Sequence, residues 1–406
     1  MTGTERTVGQ PTTQVPLLFL TADTGGGHRN AAEAVGHALD LAYPGRFAPV
    51  LCDPLGGPGS AWLLRWVTGL YGPAIRVAPW LWGAVYYACN SRVAMGVLRR
   101  TLLRLADRTA ADAAKAHPPA AIVSFHPLTG TVAVAARDRA APGAPAMTVV
   151  TDLVSLHAAW RYADVDLTIA PAACAARHQP PPGPDRGRWA VAGPPVARDL
   201  RTGPLRDGER AALRRSLGLA SNGLVILLTG GGEGSGGLAR RAAAIVRRFA
   251  DIQVVVVCGR NAALKRRLDR LAARSGGRLI VTGFVHDMAD WLRCSDLVVT
   301  KAGPGTIAEA TCCGTPLLLT SHVPGQEKGN TELVTGAGAG RRVPGVRPLI
   351  AEIGRLRHDG ATVEAMRSAS ARLGRPAAST EIAELIAGLV RVRPVRSAMR
   401  PARDSA

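Results

Sequence analysis

Leu17-Leu18-Phe19-Leu20-Thr21-Ala22-Asp23-Thr24-Gly25-Gly26-Gly27-His28-Arg29-Asn30-Ala31-Ala32-Glu33-Ala34 is the stretch from which the fold is read. Four apolar residues, a run of three glycines and then helix formers predict a strand, a tight loop and a helix. Consecutive glycines allow positive φ and let the backbone approach a ligand with no Cβ in the way. The helix turns its free N–H groups and its positive dipole end toward the loop. His28 stands at that junction. A neutral imidazole there can take a proton, and a solvated histidine in an ordinary strand–helix turn has the same sequence.

The second half of the chain repeats the pattern. Leu224 to Thr229 reads as a strand running into Gly230-Gly231-Gly232-Glu233-Gly234-Ser235-Gly236-Gly237 and then a helix. Ile252 to Cys258 leads to Gly259-Arg260-Asn261. Leu279 to Thr282 leads to Gly283-Phe284-Val285, and Leu297 to Thr300 to Lys301-Ala302-Gly303-Pro304-Gly305-Thr306. Leu317 to Thr320 precedes Gly325-Gln326-Glu327-Lys328-Gly329-Asn330. Glycine loops at the carboxyl ends of strands, in two βα halves, predict an α/β protein whose two domains face each other across a cleft. Gly303-Pro304-Gly305-Thr306 at a helix start is a seat for phosphate. Thr306-x-x-Glu309 also has capping-box spacing, so Glu309 has a purely local alternative.

At 406 residues the chain suits two domains. It is 47% hydrophobic and 20% charged, as in a globular protein. Its net charge is +20, with a sequence pI near 11. The excess is arginine, since Lys115, Lys265, Lys301 and Lys328 are the only lysines. Such a balance suits an anionic partner such as a membrane or a phosphorylated substrate, or reflects a genome-wide arginine bias. No groove-reading motif or basic run supports nucleic acid. The seven scattered cysteines form no C-x-x-C and read as reduced thiols of a cytoplasmic protein. No apolar run reaches the ~18 to 20 residues that span a bilayer.

The expected organisation is a disordered segment 1–14, an acceptor domain 15–195, a linker 196–222, a donor domain 223–375, and a helix with a basic tail over 376–406. In the acceptor domain, His126, Asp152 and His157 each follow a predicted strand. Asp164-Val165-Asp166 resembles a metal-binding D-x-D but falls at the start of a strand. It is read as structural, and no metal is expected.

Residues 60–105 carry Trp62, Trp66, Trp80, Trp82, Tyr71, Tyr86 and Tyr87 in a chain that is 4% aromatic. Arg65, Arg76, Arg92, Arg99, Arg100 and Arg104 are interleaved. Rings at headgroup level and cations on anionic lipid suit an interfacial membrane segment. A pair of buried amphipathic helices with snorkelling arginines is the alternative.

These motifs, in order from residue 17 to about 340, resemble the GT-B diacylglycerol glycosyltransferases. These are the monogalactosyldiacylglycerol synthases and the processive diacylglycerol glucosyltransferases. The likeness is carried by Thr24-Gly25-Gly26-Gly27-His28-Arg29, Ser124-Phe125-His126-Pro127, Thr151-Asp152-Leu153 and the glycine loops of the second half, above all Thr300 to Ala310 and Gly325 to Asn330. It implies two Rossmann-like domains and an inverting, metal-independent transfer of a hexose from a UDP-sugar, a substrate rather than a cofactor, to a lipid hydroxyl. Glu309 would hold the ribose, and Gly303, Pro304, Gly305 and Thr306 the diphosphate. Phe284 and Val285 would meet the uracil, while Gln326 and Glu327 would grip the hexose. Gly231, Gly232, Arg260 and Asn330 fall in the same donor-side motifs. Gly26, Gly27 and His126 would lie at the acceptor. His28 is the candidate base and Asp152 its rival. Leu156-His157-Ala158 departs from the Cys-His-Pro usual in the family, which bears on the acceptor. The expected setting is the cytoplasmic face of an anionic membrane. A GT-B enzyme acting on a polyprenyl-linked precursor or a natural product is the other reading.

Overall fold

The structure is a computed structural model, and it describes residues 14–392 apart from 24–25, 78, 179–187, 198–199 and 201–202. The polar segment through residue 13, the Pro180–Pro184 loop and the basic tail from residue 393 lie outside the described residues.

The chain runs β1 (Val15–Leu20), α1 (Gly27–Ala42), β2 (Phe47–Cys52), α2 (Trp62–Val77), α3 (Pro79–Cys89), α4 (Arg92–Thr101), α5 (Asp107–Ala116), β3 (Ala121–Ser124), α6 (Gly130–Ala140), β4 (Ala146–Val149), β5 (Leu167–Ala170), α7 (Ala172–His178) and β6 (Arg188–Val191). It continues through α8 (Asp207–Ser216), β7 (Leu224–Thr229), α9 (Leu238–Arg248), β8 (Ile252–Val257), α10 (Ala262–Ala272), β9 (Leu279–Thr282), α11 (Met288–Cys294), β10 (Leu297–Thr300) and α12 (Pro304–Cys312). The remaining elements are β11 (Leu317–Leu319), α13 (Lys328–Gly336), β12 (Gly340–Arg342), α14 (Val346–Leu356), α15 (Gly360–Leu373) and α16 (Ala378–Val392).

The first sheet is ordered β2-β1-β3-β4-β5-β6 and the second β12-β11-β10-β7-β8-β9, both parallel. Helices cover both faces of each sheet, so strands such as Val225-Ile226-Leu227-Leu228 are apolar throughout and fully buried. Each sheet reverses its strand order once, between β1 and β3 and between β7 and β10. Crevices open at such reversals, outside the carboxyl ends of the strands. The loops after β1 and β3 and the loops after β7 and β10 are therefore the four best placed to build a site.

Two strands, β6 and β12, have no counterpart in the sequence reading. Both are short, and β6 follows a segment dominated by prolines. The 196–222 linker contains α8, which belongs to the second half. Arg210 and Arg214 of α8 clamp Asp296 from either side at 2.6 and 2.7 Å. Helix α16 does the reverse. It follows the second sheet but lies on the first, where Ile382, Ala383, Ile386 and Ala387 pack with Val35 and Leu39 of α1 and with Leu17 and Phe19 of β1. Full burial of each isoleucine contributes about 1.5–3 kcal/mol.

The aromatic segment folds as α2, α3 and α4, not as two helices. Trp62 and Trp80 are 72% exposed and Trp66 is 61% exposed. Trp82 is only partly exposed, so the four tryptophans do not form one equivalent set.

Candidate active site

A cavity of ≈ 610 Å³ opens between the two sheets. It is lined by loops from both strand-order reversals, and on the first-domain side it includes Gly26, Gly27, His28 and Asp152. Gly26 takes φ +81 as it caps α1, a conformation that glycine reaches at no steric cost.

His28 lies in the first turn of α1 and its Nδ1 is 2.9 Å from the Phe125 carbonyl. A carbonyl only accepts, so Nδ1 carries the hydrogen and Nε2 is left as the basic nitrogen. Thr151 Oγ1 is also 2.9 Å from Nδ1. Burial lowers the His28 pKa to about 4, against a smaller opposing effect of the Phe125 carbonyl. The ring is therefore neutral at physiological pH. His126, which the resemblance places at the acceptor, is buried, is not among the residues lining the cavity, and packs edge-to-face against His28 at 4.6 Å. Its Nδ1 accepts from the Leu128 amide. It supports His28 from behind.

Asp152 is buried, with one oxygen accepting from Trp160 Nε1 at 2.7 Å and the other from Gln326 Nε2 at 3.2 Å. Burial raises its pKa from an ordinary 3.8 to about 6, although both hydrogen bonds oppose the rise. His157 is spent structurally, since its Nε2–H donates to the Tyr86 carbonyl and its Nδ1 accepts from the Ala159 amide.

On the second-domain side, α12 starts at Pro304 with Gly303 as its N-cap. Thr306 is thus inside the helix, not at its cap, and the capping-box alternative for Glu309 falls away. Gly303, Pro304, Gly305, Thr306 and Glu309 all line the cavity. The uncapped amides of the first turn, with the dipole behind them, form an anion seat. Gly231, Gly232, Phe284 and Val285 line the same cavity. Gly259 takes φ +58, and a side chain there would run into the Gly232 carbonyl, so the loops after β7 and β8 fit together only with glycine. Arg260 follows. Its guanidinium lies over the Phe284 ring at 5.2 Å, and a side chain on Gly26 would come within 3.3 Å of its Nη1. Arg260 therefore reaches across the cleft.

Gln326 and Glu327 also line the cavity. Both Glu327 oxygens are already engaged, one by Lys301 Nζ and the other by the Val323 amide. Asn330 does not line the cavity. Its Nδ2 donates to the Ala302 carbonyl, which holds the loop before α12 in place. Lys301, Thr151 and the Phe125 carbonyl join the site through their contacts with Glu327 and His28 and are not marked as site groups by the sequence. Lys301 carried a signal, as one of four lysines in an arginine-rich chain; a backbone carbonyl carries none. Asp166 accepts from the Ala146 amide at 2.9 Å and pairs with Arg137 at 3.4 Å, which makes it a strand anchor.

Two Rossmann-like domains joined over such a cavity define the GT-B glycosyltransferase fold. Solved structures share it. The chain superposes on Anabaena HepE in complex with UDP and glucose with a TM-score of 0.55 at 18% identity, covering 92% of this chain and 99% of that one. It superposes on a UDP-glucosyltransferase of Polygonum tinctorium with a TM-score of 0.61 at 16% identity, covering 94% and 100%. Residues 225–381 match the glycosyltransferase family 28 C-terminal domain, and residues 28–196 match the monogalactosyldiacylglycerol (MGDG) synthases. A relative from Oryza sativa subsp. indica, described as probable monogalactosyldiacylglycerol synthase 2, chloroplastic, is 32% identical over 333 residues, which are 80% of this chain and 70% of the relative. The protein is a glycosyltransferase and belongs to the monogalactosyldiacylglycerol synthase family.

Proposed function

We propose that the protein transfers a hexose from a UDP-sugar to the free hydroxyl of diacylglycerol, with inversion, while docked on an anionic bilayer. The names of its relatives make galactose the first donor sugar to test. The observation that carries the lipid acceptor is the placement of α2. Trp62, Trp66 and Leu70, spaced by four, form one exposed face of this helix. On the adjoining face, Thr68, Gly69 and Gly72 line the cavity. A lipid whose tails stay in the bilayer then has a short path for its hydroxyl. Val93, Val97, Trp80 and Tyr87 extend the exposed apolar surface, and Arg65, Arg92, Arg100 and Arg104 are exposed beside it. Apolar rings with flanking cations complement anionic headgroups. A soluble acceptor leaves this surface without a role. Among the described residues no helix is long and apolar enough to cross a membrane.

In the reaction the acceptor oxygen attacks the anomeric carbon and its proton passes to His28 Nε2. The bond from that carbon to the UDP oxygen breaks with its electron pair. The departing diphosphate gathers negative charge, which the amides at the start of α12 stabilise without a metal ion. Glu309 meets the ribose, Phe284 and Val285 the uracil, and Gln326 the hexose. Arg260, stacked on Phe284, closes the donor pocket from above. The test is product analysis with UDP-galactose, UDP-glucose and UDP-glucuronic acid, each with diacylglycerol in anionic vesicles. A glycosylated diacylglycerol is expected. Transfer to none of these donors' lipid mixtures, with transfer to a soluble acceptor, overturns the reading.

A further inference from the structure

Helix α3 belongs to the first domain, yet it is packed against the loop of the second domain that carries Gln326. The fit is tight on both sides. A methyl group on Gly83 would come within 2.8 Å of Pro324 Cβ, and one on Gly325 would overlap the Tyr86 ring. Gly325 has φ +82, so the turn itself also requires glycine. Tyr86 is buried and held from behind. Its ring packs edge-to-face on His157 at 4.7 Å, and its carbonyl accepts from His157 Nε2 at 3.2 Å. Its neighbour Tyr87 is 61% exposed.

We infer that Tyr86 is a positioning residue for the donor sugar: its ring is the floor on which Gly325 rests, and it thereby sets where the Gln326 amide points. The inference builds on the donor reading above and extends it to a residue of the opposite domain. The constraint is steric. Loop 323–327 has no regular hydrogen-bond ladder to hold it. It is fixed at its Glu327 end by Lys301 and by hydrogen bonds with Val323, and in its middle by the Gln326–Asp152 hydrogen bond and the Tyr86 ring beneath Gly325. Removing the ring leaves a void under Gly325, and the loop sinks into it or samples other positions. The UDP seat of α12 and Glu309 lines the cavity, whereas Tyr86 does not. The nucleotide and the sugar should therefore respond differently, which a merely structural residue would not produce.

Two measurements test this. The first is amide hydrogen exchange of the free protein. Tyr86→Ala should speed exchange over residues 323–327, Tyr87→Ala should not, and Tyr86→Phe, which keeps the ring, should match wild type. The second is calorimetric binding of UDP and of UDP-hexose. Tyr86→Ala should weaken UDP-hexose about tenfold, the cost of one misplaced hydrogen bond, with UDP unchanged. Gly83→Ala, one turn before Tyr86 on the same helix, pushes Pro324 away from α3, should change the same ratio, and serves if Tyr86→Ala folds poorly. Parallel loss of both ligands, or an unchanged ratio with unchanged exchange, overturns the inference. A wild type that binds neither ligand sinks the donor reading instead, and the exchange comparison still decides whether Tyr86 holds the loop.

Discussion

The Gln326 side-chain amide donates to the Asp152 carboxylate at 3.2 Å across the cleft, so a residue expected at the donor hexose is tied to one of the two candidates for the base. This bond separates the two candidates for the base. Asp152 spends both oxygens, on Trp160 and Gln326. His28 spends only Nδ1 and keeps Nε2.

His28→Ala should therefore lose about 10²- to 10⁴-fold in turnover, the range of general-base catalysis, with UDP-sugar affinity and melting temperature nearly unchanged. Asp152→Asn should lose far less turnover, because its place is to hold Trp160 and Gln326. Steady-state kinetics of the two variants decide it. A dead Asp152→Asn beside a near-normal His28→Ala reverses the assignment.

The two groups also act in opposite directions on stability. His28 is held at about 4, below its ordinary 6.5. The unfolded chain takes up the proton first, so this contribution is complete above pH 6.5 and is lost as pH falls toward 4. Asp152 is held at about 6, above its ordinary 3.8. The folded chain keeps that proton longer, so its contribution is present below 3.8 and is lost as pH rises toward 6. Chemical denaturation of His28→Gln should show less destabilisation on going from pH 6.5 to 4 than wild type. Asp152→Asn should show less destabilisation on going from pH 4 to 6. Profiles parallel to wild type would contradict both assignments.

Glu309 lies inside α12, beyond the reach of its cap. Glu309→Ala should weaken UDP in calorimetry while the melting temperature moves little. If it lowers the melting temperature and leaves UDP affinity intact, Glu309 supports the helix and does not touch the ribose.

Wild type should co-sediment with anionic vesicles, and less so as salt screens the arginines. Replacing Trp62, Trp66 and Trp80 with serine should abolish sedimentation and leave UDP binding intact. Trp82→Ser alone should lower stability more than it lowers sedimentation, because that ring is largely covered. Equal sedimentation of wild type and the triple variant excludes these helices as the docking surface.

Much of the architecture is legible in the chain because it rests on local signals. Phe19 and Leu20 before a glycine run, or Val299 and Thr300 before Gly303, announce a buried parallel strand and its carboxyl-end loop within a dozen residues. The site is legible where it is built from such loops. It is not legible where a side chain's partner lies far along the chain. Nothing local to Glu327 says that Lys301 occupies it, and nothing local to Asn330 says that it faces the Ala302 carbonyl and not a ligand. His126 follows its strand just as Asp152 does, and only tertiary packing turns one behind His28 and the other toward Gln326. The exposure of Trp66 against the partial cover of Trp82 likewise depends on how α2, α3 and α4 stack, which helical periodicity alone leaves open.

The return of α16 to the first sheet bears on how the molecule is made. As the chain leaves the ribosome, β1 to β6 emerge first, but the apolar stripe of Val35, Leu39 and Phe19 stays uncovered until Ile382 and Ile386 arrive. Domains commonly fold in order of synthesis, the N-terminal one first. Here the first half is finished last, after the whole second sheet has been translated. The acceptor half expressed alone would present that stripe to solvent. The core of the acceptor half thus closes only with residues that are translated after the donor half.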